Sequence, residues 1–346
     1  MWSDGLLRLG ANMSKSIWCV AVMVVAMSLV AGCKEEKKAG PQSAGKRKVK
    51  IGFVAKSQSN TVFQVAHAGA RAAAKKLGDK YNAQIEVDIR TPPAEDAVKQ
   101  AEAVDSLVRA GAAGIAVACS DAGPLTPAIN RAVDAGVAVM CFDSDAPASK
   151  RFCYYGTDDI VCGQKVMAFL AKFMGEKGTV AILAGNASAP NLQKRVEGVR
   201  QELKKYPNMK ELNDGKGVFY HPENPSDAAE AWKTATRTNP TITGWALVGG
   251  WPLFVKGAVD WDPAKIKVVA VDALPAQLEY VQTGAVQMLL AQDCYGWGTK
   301  SVELLMEKIV NNKVPEGGKV IDPLKEVTKE NAKEIGGMWT EWLGGK

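Results

Sequence analysis

Short apolar runs alternate with amphipathic segments along the chain from Val49 onward. In the first half, this pattern predicts strands at residues 50–55, 85–89, 114–118, 138–142 and 154–156, and helices at residues 63–77, 96–110 and 125–135. Strands that are separated by helices of this length are typical of right-handed βαβ units in a parallel sheet.

The same alternation begins again near residue 159. It predicts helices at residues 159–174, 192–206, 226–237, 254–259, 276–282 and 297–310, and strands at residues 179–183, 218–220, 245–248, 268–271, 286–291 and 320–321. A chain of 346 residues is long for a single core. We therefore predict an α/β protein with two doubly wound parallel-sheet domains.

The first 48 residues have a different pattern. Lys15 precedes the uncharged apolar segment Ile17–Val30, which is too short for a comfortable membrane span, and a resemblance to the bacterial lipobox follows at Val30-Ala31-Gly32-Cys33. We expect a lipoprotein signal peptide at 1–32, with Met1 or Met13 as the start, lipidation of Cys33, and a flexible charged linker at 33–48. A transmembrane anchor is the alternative.

Charge and motifs exclude several functions. Residues 1–50 hold nine Lys or Arg and three Asp or Glu, which accounts for the whole net charge of +6, so the remainder gives no electrostatic case for nucleic acid. The chain has no phosphate-binding loop, nucleophile elbow or HExxH motif, and neither Cys nor His has metal-ligand spacing. We therefore expect no catalytic residue, no metal and no cofactor.

Five cysteines follow Cys33, and this odd number leaves at least one thiol without an internal partner. Cys119 and Cys141 lie near the ends of neighbouring predicted strands. They could form a disulfide or remain buried thiols, and the sequence favours buried thiols.

The predicted strand 138–142 ends abruptly in Asp143-Ser144-Asp145. In an open parallel sheet, polar groups that follow the carboxyl end of a strand face the ligand crevice. Carboxylate oxygens suit sugar hydroxyls, because each hydroxyl needs an acceptor for its proton. The alternative is that these residues form an Asx turn or a helix cap. A catalytic acid pair of a glycosidase is a poor interpretation, because the two carboxylates of such a pair usually come from different strands.

Other predicted strands also end in groups that can bind a ligand. Asn60 offers hydrogen-bond donors and acceptors, although it could instead cap a helix. Arg195 can donate to two oxygen atoms at once, although it could instead be a solvated surface residue. Phe63 and Trp251 can flank a sugar ring, although they could instead fill the core. Further strand ends carry Asp272 and Gln292. Because all of these residues fall at the same end of their strands, they favour a binding cleft.

These residues carry a resemblance to a known family. From about residue 49 to residue 328 the chain resembles the periplasmic sugar-binding proteins of ribose-type ABC transporters, which share their fold with lactose-repressor-type regulators. The resemblance rests on Asn60-x-x-Phe63 before Gly69-Ala70, Val139–Asp143, Arg195-x-x-Gly198, Val268–Asp272 and Ala291-Gln292.

The resemblance implies a type I periplasmic binding protein fold with a three-segment hinge near Gly156-Thr157, Ala291-Gln292 and Ile321-Asp322. Its N-terminal lobe would be residues 49–156 plus 292–321, and its C-terminal lobe residues 157–291 plus 322–346. It also implies that Phe63 and Trp251 flank a sugar ring. The hydroxyls and ring oxygen would then be bound by Asn60, Asp143, Arg195, Asp272 and Gln292.

The chain departs from ribose binders at three positions. Val62 replaces a second aromatic residue, Ser144 replaces an arginine, and Trp251 aligns with an asparagine. Ser144-Asp145 instead resembles the corresponding residues of rhamnose-type and autoinducer-2 binders, so both residues are included in the predicted ligand set. Arg195, with Lys56 as a second cation, is then the main positive charge of the cleft, which argues against an anionic ligand.

We therefore predict a periplasmic, lipid-anchored monomer that captures a neutral monosaccharide or polyol and delivers it to an ABC transporter permease. A sensing protein that presents a sugar or autoinducer to a membrane receptor is the main alternative. An exported enzyme and a transcription regulator are two others, although a regulator would need a DNA-binding headpiece where this chain has its signal segment.

Overall fold

The computed structural model describes residues 46–342. Its strands are β1 (Arg47–Val54), β2 (Ala83–Ile89), β3 (Gly114–Val117), β4 (Ala138–Phe142), β5 (Cys153–Gly156), β6 (Gly178–Ala184), β7 (Met209–Glu211), β8 (Val218–Tyr220), β9 (Ile242–Leu247), β10 (Lys267–Val271), β11 (Met288–Ala291), β12 (Lys319–Ile321) and β13 (Lys325–Val327). Its helices are α1 (Thr61–Lys80), α2 (Ala97–Arg109), α3 (Ala122–Asp134), α4 (Asp159–Met174), α5 (Pro190–Leu203), α6 (Pro225–Thr238), α7 (Pro275–Thr283), α8 (Cys294–Asn311) and α9 (Ala332–Trp342), with 3₁₀ turns at Trp251–Phe254 and Glu316–Gly318. The predicted signal peptide, lipobox and most of the linker lie outside the described residues.

The strands form two sheets of closely similar topology. The first sheet has the order β12-β5-β4-β3-β1-β2, and all of its pairs are parallel. The second has the order β13-β11-β10-β9-β6-β7, with β8 also paired to β6, and only the β13–β11 pair is antiparallel. In each sheet the strand order reverses beside the first strand of the lobe, β1 or β6, which is where ligands bind in open α/β sheets. The prediction of two doubly wound parallel-sheet domains is confirmed.

Three elements of the structure were not predicted, namely β7, β13 and α9, and one short helix lies at a different place from the predicted one. The strands β7 and β13 have no apolar run, because two of the three residues in each are charged, and α9 contains Gly336-Gly337, which lowers helix propensity. The short helix predicted at 254–259 is instead a 3₁₀ turn at Trp251–Phe254, where Pro252 supplies a helical φ angle and Val255 is already extended.

Glycines let one helix pair in each lobe approach closely. A Cβ atom on Gly198 of α5 would lie 2.1 Å from the backbone oxygen of Ile160 in α4, and one on Gly69 of α1 would lie 2.3 Å from the backbone oxygen of Tyr295 in α8. No side chain fits at such distances, so both positions need glycine. The close packing positions the first turns of α1 and α5 at the carboxyl ends of β1 and β6.

The chain passes between the two sheets three times. The crossings follow β5, β11 and β12, where the hinge segments near Gly156-Thr157, Ala291-Gln292 and Ile321-Asp322 are predicted. The hinge motion and the exact lobe boundaries stay predictions. None of the helices described between residues 46 and 342 combines the length and the hydrophobicity that a membrane-spanning segment needs.

The five cysteines of the described part are buried free thiols. The sulfur atoms of Cys119 and Cys141 are 4.0 Å apart, which is contact distance without a bond. The structure therefore agrees with the interpretation of these two residues as buried thiols.

Candidate functional site

A small cavity lies between the two lobes at the carboxyl ends of their strands. Seven of the nine residues predicted to bind a ligand line it, namely Asn60, Phe63, Asp143, Arg195, Trp251, Asp272 and Gln292. The empty space among the lining side chains, including its opening, is about 290 Å³. Polar side chains with a few aromatic rings make up the lining, which is typical of a site for a small polar ligand.

Asp143 and Asp272 occupy corresponding places in the two lobes. Asp143 directly follows β4, Asp272 directly follows β10, and both have positive φ angles, of 54° and 76°. Aspartate tolerates this conformation better than most residues, although the strain is still unfavourable and is common at binding sites. Among the described residues the Asp143 side chain accepts from Asn191 and from no backbone nitrogen, so it forms neither an Asx turn nor a helix cap, and it lines the cavity.

Arg195 and Gln292 connect the acidic groups of the second lobe. The Arg195 guanidinium donates from Nε to Asp159 Oδ1 (2.9 Å), from Nη1 to the backbone oxygen of Val248 (3.1 Å) and from Nη2 to Gln292 Oε1 (2.7 Å). Gln292 in turn donates from Nε2 to Asp272 Oδ1 (2.8 Å). Because Arg195 is only 2% exposed, it is not the solvated surface residue of the alternative interpretation.

Aromatic rings form part of the cavity wall. Phe63 lies against Trp297, with ring centroids 6.0 Å apart, and Trp251 makes an edge contact with His221 at 5.0 Å. Trp251 packs over Gly249, where a Cβ atom would lie 2.2 Å from its ring. Trp251 is therefore both a core residue and a cavity residue, and glycine at position 249 makes room for it.

Asn60 also has two roles. Its side-chain oxygen accepts from the backbone nitrogen of Val62 at 3.2 Å and so caps α1, while the residue lines the cavity. Its side-chain nitrogen has no protein acceptor among the hydrogen bonds of the described residues, which leaves a donor for a ligand.

Ser144 and Asp145 do not line the cavity, unlike the other seven residues of the predicted ligand set. Asp145 forms a buried ion pair with Arg151, which includes a bond from Nη2 to Oδ2 of 2.6 Å, and Arg151 also donates to the backbone oxygen of Gly318. Ser144 is fully buried, and its backbone oxygen accepts from Cys119. The positive φ angle at Asp143 turns the chain so that the next two residues leave the cavity.

Other residues in the cavity wall are not in the predicted ligand set. Lys56, considered only as a second cation, is 2% exposed and donates to Asn191 Oδ1 at 3.2 Å, and it forms an ion pair with Glu223 at 3.5 Å. Asn191 donates to Asp143 Oδ1 at 3.2 Å. These contacts join the first lobe to the second across the cavity. Lys56 could have been recognised as the residue two positions after β1, whereas no local signal marks Asn191 or Glu223.

The cavity has an excess of negative charge. Its lining includes the cations Lys56 and Arg195 and the carboxyl groups of Asp143, Glu223 and Asp272. Burial raises the pKa of Asp143 to about 6, although Lys56 and Arg195 act in the opposite direction, and burial also raises the pKa of Asp272. A neutral ligand that donates hydrogen bonds would stabilise these carboxylates, whereas an anion would add to the unfavourable charge.

Comparison with known proteins gives one family and several relatives. The model of the periplasmic binding protein domain matches residues 51–313. The chain is 27% identical to the ribose import binding protein of Bacillus subtilis (strain 168) over 180 residues, which are 51% of this chain and 57% of that protein. It is 30% identical to the xylitol-binding protein of Mycolicibacterium smegmatis over 117 residues, 34% of each. The chain thus aligns with about half or less of the length of these curated relatives.

Solved structures share the fold over most of the chain. An ABC transporter solute-binding protein from Burkholderia graminis, in complex with D-arabinose, has a TM-score of 0.74 at 24% identity and covers 83% of this chain and 97% of its own. The XylFII–LytSN complex has a TM-score of 0.70 at 25% identity and covers 82% and 98%. These similarities agree with the two-lobed architecture.

Proposed function

Because the chain belongs to the periplasmic binding protein domain family, we propose that it captures a neutral sugar or polyol between its two lobes. The observation that supports this most is the common cavity, to which the first lobe contributes Asn60, Phe63 and Asp143 and the second contributes Arg195 and Asp272. A ligand that contacts both sets stabilises the closed arrangement of the lobes.

The chemistry of the cavity favours a polyhydroxylated ligand. Carboxylates and amide oxygens accept from hydroxyl groups, the arginine can donate to a ring oxygen, and an aromatic face can lie against the C–H side of a sugar ring. Relatives at 27% and 30% identity are named for ribose import and xylitol binding. This supports a small neutral sugar or polyol as the ligand class, and no chemical step is required.

The closed form delivers its ligand from the periplasm, the compartment for which the family is named, to an ABC transporter permease. The protein acts as a monomer and is held at the membrane by a lipid on Cys33, which follows an apolar segment and a lipobox-like sequence. Residues 49–156 with 292–321 and residues 157–291 with 322–346 move as the two lobes.

A second candidate function is presentation of the bound ligand to a membrane receptor. It is favoured by one similar structure, in which XylFII is in complex with LytSN. Capture of a permease or of a receptor by the ligand-loaded protein distinguishes the two functions.

A thermal-shift screen of neutral monosaccharides and polyols tests the proposed ligand class. A ligand present at a hundred times its Kd should add about 2.7 kcal/mol to the free energy of unfolding. The variants Asp143→Ala and Asp272→Ala should each lose most of the shift caused by that ligand. If both variants respond as the unchanged protein does, the ligand binds outside the cavity and the assignment of the site is wrong.

A further inference from the structure

A second and larger space adjoins the cavity, and we call it the vestibule. It is lined by Ser57, Ser59 and Glu95 of the first lobe and by Asn186, Tyr220 and Glu223 of the second, among others. Its empty space, including its opening to solvent, is about 930 Å³, compared with about 290 Å³ for the cavity. The vestibule therefore has room for a group at least as large as the ligand of the cavity.

The two spaces meet at Glu223. This residue lines both of them, and its carboxylate is paired with Lys56, which lines the cavity but not the vestibule. A ligand in the cavity and a group in the vestibule would therefore be separated by little more than one carboxylate. A single molecule that passes beside Glu223 can occupy both.

The vestibule contains hydrogen-bond acceptors without donors. The Nδ1 atom of His221 lies 2.6 Å from the backbone oxygen of Pro222, and because a carbonyl only accepts, Nδ1 carries the proton. Burial lowers the pKa of His221, so the ring is neutral and its Nε2 is an acceptor. That atom is buried without a partner among the described residues, and His221 as a whole is only 6% exposed.

Glu95 is a second such acceptor. Its Oε1 atom is buried and has no hydrogen-bond partner in the described part of the chain. Burial, and then the charge of Glu223, raises the pKa of Glu95 to about 7. Hydrogen bonds from Asn186 and Ser120 act against this rise, but no lysine or arginine belongs to the lining of the vestibule within residues 46–342.

One exposed aromatic side chain completes the surface. Tyr220 is 51% exposed, and it is the last residue of β8, at the edge of the vestibule. Acceptors without donors beside an open aromatic face are what a sugar ring needs, because it has hydroxyls on its edge and C–H groups on its face.

We propose that the vestibule is a second sugar subsite and that the cleft takes a glycoside of at least two rings. The first ring fills the cavity, and the second donates hydroxyls to Glu95 and His221 and lies against Tyr220. This proposal rests on the proposed function, because it assumes that the cavity holds a sugar.

The test is calorimetric titration with matched ligands. The monosaccharide that stabilises the protein most in the thermal-shift screen is compared with disaccharides in which D-glucose is attached to that sugar at each hydroxyl in turn. At least one disaccharide should bind as tightly as the monosaccharide or more tightly. Tyr220→Ser and Glu95→Ala should each raise the Kd of that disaccharide about tenfold and leave the Kd of the monosaccharide unchanged. The control Tyr206→Ser, beyond the far end of α5, should change neither Kd.

Two results overturn the subsite alone. In one, the monosaccharide binds but every disaccharide is rejected, which means that the vestibule is only an entrance. In the other, a disaccharide binds with the same Kd to the unchanged protein and to both vestibule variants. A different result, in which no monosaccharide or polyol binds at all, refutes the proposed function and removes the basis of the subsite with it.

Discussion

Replacement of Asp143 by asparagine should stabilise the ligand-free protein while weakening its ligand. The side chain is 5% exposed, and its pKa is raised from 3.8 to about 6, chiefly by burial. A raised carboxyl pKa means that ionisation is unfavourable in the folded state, by about 1.4 kcal/mol per pKa unit. At pH 8 the loss of the charge should therefore raise the free energy of unfolding by up to about 3 kcal/mol, or roughly 5 °C in Tm.

The size of this effect depends on pH. Below the unfolded pKa, Asp143 is protonated in both states, and its unfavourable ionisation contributes nothing. As the pH rises from about 4 to about 6 the unchanged protein loses stability, because the folded state keeps a proton that the unfolded state has already released, and Asp143→Asn does not. Thermal melts at pH 5 and pH 8 should thus show a gain for the variant at both values, with the gain at pH 5 about half of the gain at pH 8. In the same variant the loss of the charge-assisted hydrogen bond should make the binding free energy of the sugar less favourable by about 1.5–3 kcal/mol, which is at least a tenfold increase in Kd.

Asp145→Asn is the matched control, two residues away. Asp145 is paired with Arg151 and lies outside the cavity, so this substitution should destabilise the protein by about 3 kcal/mol and leave Kd unchanged. The reasoning is refuted if Asp143→Asn destabilises the ligand-free protein at pH 8 as much as Asp145→Asn does. It is also refuted if Asp143→Asn binds the sugar with unchanged affinity.

Three further predictions follow from the same structure. Because the ligand hydroxyl needs the ionised form of Asp143, Kd should be constant above about pH 7 and should rise as the pH falls below 6, by up to about tenfold per unit, in calorimetric titrations; a flat profile down to pH 4.5 would contradict this. Gly198→Ala should lower the free energy of unfolding in urea by about 1–3 kcal/mol because its Cβ atom would meet Ile160, whereas the exposed neighbour Glu197→Ala should change it by less than about 0.5 kcal/mol. Cys33→Ser should abolish the incorporation of labelled palmitate into the protein, and a variant that is labelled as strongly as the unchanged protein would exclude lipidation of Cys33.

The sequence predicts the fold well where local signals and tertiary packing agree. The helix Asp159–Met174 has the predicted bounds because Asp158 caps its start and Gly175, with a φ angle of 64°, ends it. The short strands β7 and β13 depend on pairing with a neighbouring strand, and α9 depends on contacts such as the bond from Trp339 to the backbone oxygen of Ala273. Such contacts leave little trace in the local pattern.

The site was predictable to the extent that parallel strands end at one edge. That rule finds Asp143, Asp272 and Gln292, since each directly follows a strand. It cannot decide which carboxylate of Asp143-Ser144-Asp145 faces the cavity, because the answer depends on the positive φ angle at Asp143 and on the ion pair of Asp145 with Arg151, six residues after it. It also cannot find Trp297, which reaches the cavity only through the close packing of α8 against α1.

The structure of the protein with the sugar that stabilises it most is the most direct test of the central claim. We predict that the ligand lies in the cavity, within hydrogen-bond distance of Asp143 from the first lobe and of Asp272 or Arg195 from the second, with a ring face against Phe63 or Trp251. A sugar that is bound elsewhere, or that contacts only one lobe, would contradict it.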